Sequence, residues 1–170
     1  HVGLARSFQI TSIFRKFTAL DNVALAVQAH DGHSFRFWRA ARNDATLTDP
    51  ARRMLERVGL GARADVVAGN LAHGEQRQLE IAMAIATGPK LLLLDEPTAG
   101  MGPEDSQRMT KFLLGLKGDY SMVLIEHDMD AVFALADRIT VLVYGRAIAT
   151  GTPEQIRKND EVRAAYLGED

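Results

Sequence analysis

The strongest constraint on how this chain can fold is the apolar run Leu91-Leu92-Leu93-Leu94, which stops abruptly at Asp95-Glu96-Pro97. A half-exposed strand alternates polar with apolar residues. A run without alternation, here residues 90–94, suits a strand covered on both faces, as in a parallel sheet. Residues 122–125 repeat the pattern and end at Glu126-His127. Residues 139–143 and 147–150, joined through Tyr144-Gly145-Arg146, read as a hairpin. None of these runs approaches the roughly 18 apolar residues that cross a bilayer.

Helix signals lie between the strands. Thr48-Asp49-Pro50 places capping residues before a proline and opens a helix over 51–58. Gly74 precedes an apolar-periodic stretch over 75–87, closed by Gly88-Pro89. Pro103-Glu104-Asp105 opens another helix through Leu116, and 128–136 and 153–158 are two more. Strands alternating with helices give an α/β class with a mostly parallel sheet, preceded by a helix-rich first 60 residues. Phe8, Phe14 and Phe17 are expected in the core.

Composition narrows the function classes. A chain of 170 residues with 46% hydrophobic and 25% charged residues is globular rather than disordered. It has no cysteine, which excludes disulfides, a thiolate zinc site and a cysteine nucleophile. A net charge of −2 argues against a general nucleic-acid binder. The charge is uneven, with 12 Lys and Arg against 8 Asp and Glu in residues 1–90 and 8 against 14 in residues 91–170. This is either drift within one domain or a basic surface facing an anionic partner.

In open parallel sheets, ligands bind beyond the carboxyl ends of strands. Asp95-Glu96 and Glu126-His127 both stand there. A carboxylate at such an end can hold a hard cation such as Mg²⁺, and its neighbour can deprotonate a water. An Asp-Glu pair alone could equally cap the following helix. Upstream, however, Leu71-Ala72-His73-Gly74-Glu75 leads into a helix whose first N–H groups form a ready phosphate site. His127 can bond a phosphate oxygen and report its loss.

Taken in order, Arg6-Ser7-Phe8-Gln9, residues 71–76, residues 91–97 and His127 resemble the Q-loop, signature motif, Walker B and H-loop of the ABC transporter ATPases. The stretches 79–86, Ala99-Gly100-Met101, 127–132 and 162–168 are similar to the ATP-binding subunits of branched-chain amino acid importers. The resemblance implies a P-loop NTPase-like α/β fold whose N-terminal strands precede His1. Residues 1–90 would hold the Q-loop and helical signature subdomain. Residues 90–170 would hold the Walker B and H-loop part of the core.

It further implies ATP and Mg²⁺ as ligands. Asp95 and Gln9 would reach Mg²⁺, partly through water, and Glu96 would be the general base. His127 would contact the γ-phosphate. Leu71, Ala72, His73, Gly74 and Glu75 would cover ATP held by a second ATPase subunit, identical or not. The other implied partners are integral membrane permease subunits and, indirectly, a periplasmic binding protein, with no nucleic acid. The implied location is peripheral, on the cytoplasmic face of the inner membrane.

Three residues depart from the family pattern. Ala72 stands where a serine is usual, His73 where the first glycine is usual, and Gly102 where an aspartate is common. No G-x-x-x-x-G-K-[ST] loop occurs in residues 1–170, so the phosphate cradle is expected upstream of His1. The arginine-interleaved aromatics at 35–42 fit a protein contact near the membrane better than base stacking. The alternatives are a lipopolysaccharide-export ATPase, a soluble ABC ATPase acting away from membranes, and a degenerate scaffold.

Overall fold

The unbroken apolar run becomes a buried strand, β2 (Leu91–Asp95), in which Leu92 and Leu94 are almost wholly covered. The computed structural model describes residues 4–6, 13–31 and 44–167. Gln9, Phe8 and the stretch 35–42 lie outside the described residues. Within residues 1–125, β2 is the centre of a three-stranded parallel sheet. On one side is β1 (Leu4–Arg6), paired Leu4 to Leu91. On the other is β3 (Ser121–Ile125), paired from Leu91–Ser121 through Asp95–Ile125, so β2 and β3 end level. The sheet class is as expected, but β3 is not covered on both faces: Val123 and Ile125 are 50% and 59% exposed. The three-residue β1 is an addition, since its length gives no periodicity to read.

The helix-rich part of the same unit contains α1 (Ala19–Asp31), α2 (Ala45–Arg57) and α3 (His73–Ala86). Thr18 and Asp21 cap α1 reciprocally, each side-chain oxygen accepting the other residue's backbone N–H, at 3.1 and 3.2 Å. The stripe Leu47, Ala51 and Leu55 of α2 packs into a core with Val23 and Val27 of α1 and Leu79 of α3. Each fully buried leucine there contributes about 1.5–3 kcal/mol. Helix α2 begins earlier than Thr48-Asp49-Pro50 suggested. Asp44 is its N-cap, accepting from the Thr46 N–H at 3.0 Å, and Pro50 lies inside the helix. The buried stripe outweighs the one backbone donor that proline lacks. Helix α4 (Pro103–Leu116) follows β2 with proline in its first turn, as expected.

Phe14 and Phe17 correct the sequence reading. They are 54% and 45% exposed, stacked on each other with ring centroids 5.6 Å apart. Asn22, buried in the first turn of α1, accepts from the Phe14 N–H at 2.8 Å and donates to the Phe14 and Thr18 carbonyls. Asn22 holds the loop backbone inward, and the aromatic rings face out.

Residues 126–170 form a second compact unit. It contains α5 (Met129–Leu135), the antiparallel pair β4 (Ile139–Val143) and β5 (Arg146–Gly151), and α6 (Pro153–Arg157). Ile139, Val141, Ile156 and Val162 are its core. Tyr144 and Gly145 turn the hairpin with φ of +47° and +76°, the primed geometry that matches strand twist.

Candidate functional site

Glu96 follows the last residue of β2 and has a left-handed φ of +47°. That conformation costs a residue with a Cβ roughly 1–2 kcal/mol, so neighbouring groups must hold it. Three hydrogen bonds do. The Glu96 N–H donates to the Ile125 carbonyl at 2.8 Å, fixing it to the end of β3. Its carbonyl accepts from the Ala99 N–H at 3.1 Å and from Arg77 Nη2 at 3.3 Å. Asp95 stands immediately before, paired with Ile125 in the sheet register.

The second group of candidates begins α3. Leu71 is buried and anchors the loop, while Ala72 and His73 are exposed. Helix α3 starts at His73, two residues before the expected 75, because Glu75 turns back to accept the Ala72 N–H at 3.0 Å. The other oxygen of Glu75 pairs with Arg63 at 3.0 Å, so this carboxylate serves the loop itself. Ala72 has no oxygen with which to cap the helix. The first-turn N–H groups of α3 therefore keep their positive end, and a Cβ added at Gly74 would meet nothing within 4 Å. An anion can approach that backbone closely.

Gly100, in the turn after Glu96, lies beside this loop: a Cβ there would be 3.8 Å from His73 Cε1. Hydrogen bonds also tie the loop after the undescribed segment to the strand of chain leading into Leu71. Ala68 N–H donates to Phe17 O at 2.8 Å and Gly69 N–H to Arg15 O at 2.9 Å. Gly102, in place of the family's aspartate, is the extended N-cap of α4 and uses only its backbone, accepting from the Ser106 N–H.

In the second unit, His127 is the second residue after β3 in the chain, with its side chain 71% exposed. Its Nδ1 lies 3.9 Å from Glu126 Oε2, whose side chain is fully buried. Glu126 also accepts the His127 N–H at 3.0 Å. Asp128 then caps α5 by accepting from the Asp130 and Ala131 N–H groups. Two residues of the first unit, beside Glu96, were missed in the sequence. Arg77 and Glu80 look like ordinary helix-surface charges, and only Leu79 and Ile81 on either side hint at burial.

Comparison with known proteins decides the family. The family profile described as ABC transporter matches residues 1–99, more than half of the chain. LivG of Escherichia coli strain K12, a high-affinity branched-chain amino acid transport ATP-binding protein, is 40% identical over 178 aligned positions, covering 99% of this chain and 69% of LivG. The chain belongs to the ABC transporter ATPases.

A second profile, described as branched-chain amino acid ATP-binding cassette transporter, matches residues 148–170 of this ABC ATPase. LptB of the same bacterium, a lipopolysaccharide export system ATP-binding protein, is 33% identical, covering 99% of this chain and 66% of LptB. The crystal structure of MJ1267 in its ADP conformation superposes with a TM-score of 0.78 at 26% identity, covering 98% of this chain and 69% of that one. The ABC ATPase thus has the P-loop NTPase-like α/β fold. It belongs to the ATP-binding, ATP-hydrolysing subunits of transporters, and no described helix is long and apolar enough to cross a membrane.

Proposed function

We propose that this subunit powers import of branched-chain or related amino acids, and that Glu96 is its general base. The observation that carries the substrate class is the greater identity to LivG, 40%, than to LptB, 33%. The profile match at residues 148–170 supports it. In the assembled transporter, ATPase activity should rise several-fold when the binding protein is loaded with leucine, isoleucine or valine. Stimulation by lipopolysaccharide instead would replace this reading with the export one.

The reaction is an in-line displacement. A water attacks the γ-phosphorus of ATP, its proton passes to the Glu96 carboxylate, and the bond to the β-phosphate oxygen breaks to release ADP. Asp95 suits Mg²⁺, which keeps several waters and phosphate oxygens and needs only one or two carboxylates. When bound there, that ion neutralises charge on the phosphates. Gln9 would reach the same ion and link it to the helical part. The Leu71–Glu75 loop, with the open backbone at Gly74, would close over ATP held by a second subunit. The Leu71–Glu75 loop and the Asp95–Glu96 edge would then act on different nucleotides of one dimer.

In assembly with its permease, the subunit would be peripheral to the inner membrane on its cytoplasmic face. His127 would bond the γ-phosphate. Its exposure predicts that His127→Ala changes stability by no more than about 0.5 kcal/mol. Hydrolysis should nonetheless fall on the order of 100-fold. Thermal melting beside steady-state ATPase assays checks both. A variant that melts far lower yet hydrolyses ATP normally would make the histidine structural.

A further inference from the structure

Arg77 and Glu80 carry opposite charges one turn apart on α3, yet they are only 4% and 5% exposed. Removing both charges from water is expensive, and apolar side chains of similar volume often fill such a space with no net loss of stability. What apolar side chains could not reproduce is the second arm of the guanidinium. Nη1 donates to Glu80 Oε2 at 2.7 Å, and Nη2 donates to the Glu96 carbonyl at 3.3 Å. The planar fork makes these two directions one rigid unit. The helix carrying it is fixed by Leu79, Ile81, Ala82 and Ile85, all buried.

We infer that Arg77, oriented by Glu80, is a positioning residue that sets the aim of the Glu96 carboxylate through its backbone carbonyl. The peptide on one side of Glu96 is held by Ile125 and the other by Ala99 and Arg77. Loss of the arginine contact frees the carbonyl side, and φ of +47° no longer has its full support. A carboxylate displaced by about 1 Å can lose on the order of 100-fold in rate without any change in what the site binds. The inference rests on the reading of Glu96 as the base.

The test is the paired substitution Arg77→Met with Glu80→Leu in the full-length subunit assembled with its permease. Removing both charges leaves neither buried alone. The expected result is a kcat lowered at least about tenfold, with the KM for ATP within about threefold and the melting temperature nearly unchanged. The same pair placed in a Glu96→Gln background should cause no further loss of the residual rate, because a residue acting through Glu96 has nothing left to position. An equal loss in both backgrounds would overturn the inference, as would an unchanged kcat.

Arg77→Lys is the second variant. It keeps a cation against Glu80 without the fork, and should lower kcat at constant KM. Wild-type kcat in that variant, or failure of both variants to fold, also overturns the positioning role. The two readings separate cleanly. If Glu96→Gln leaves turnover intact, the base assignment fails; if it abolishes turnover while the paired variant does not, only the role of Arg77 fails.

Discussion

Glu96→Gln in the assembled transporter is expected to lower ATP turnover by about two to four orders of magnitude while ATP binding stays within about threefold. The amide matches the carboxylate in shape, and the backbone hydrogen bonds to Ile125, Ala99 and Arg77 do not involve the side chain that changes. The variant should therefore keep the left-handed peptide and lose only the proton acceptor. It should also accumulate as an ATP-bound dimer, because hydrolysis is the step that would separate the subunits. Single-turnover hydrolysis and nucleotide-binding titrations give the two quantities independently. Unchanged turnover at saturating ATP would remove Glu96 from the mechanism.

A polypeptide of these 170 residues alone is expected to bind Mg-ATP more weakly than millimolar and to show no ATPase activity above background. Phosphoryl transfer depends on positioning and on charge stabilisation more than on the base itself. The residues present supply the proposed base and the α3 loop but no G-x-x-x-x-G-K-[ST] cradle for the β- and γ-phosphates. Isothermal titration of this polypeptide beside a version extended at its N-terminus with such a loop measures the difference. Micromolar binding by the shorter one would require a phosphate site among the residues described above. Loss of binding in both would favour the scaffold alternative.

Much of the architecture was legible because unbroken apolar runs mark strands, even though only β2 is largely buried and Val123 and Ile125 of β3 are exposed. The runs that became β2 and β3 contain almost no polar residue, and the acidic residues that follow them are the first candidates for function. Local chemistry was less readable where competing signals overlapped. Pro50 resembles a helix start, yet Asp44 caps the helix and the Leu47–Ala51–Leu55 stripe carries it through the proline. Phe14 and Phe17 have the composition of core residues, but Asn22 claims the loop backbone and leaves both rings outside. Among the candidate residues, Asp95, Glu96 and His127 announce themselves by their place in the sequence after a strand. The Arg77–Glu80 pair does not, because hydrogen bonding to a carbonyl 19 residues away is a tertiary event with no local pattern.

The left-handed peptide at position 96 also sets two selective pressures against each other. Its strain vanishes when the chain unfolds, so every folded molecule is less stable than one with glycine or asparagine there. Neither substitute can take a proton from water as a carboxylate does. With Glu96 as the proposed base, a lineage selected for turnover carries this instability in each generation, compensated elsewhere in the core. A lineage released from that demand gains stability by drifting toward a relaxed residue, so loss of hydrolysis at this position is a downhill change rather than an accident of decay.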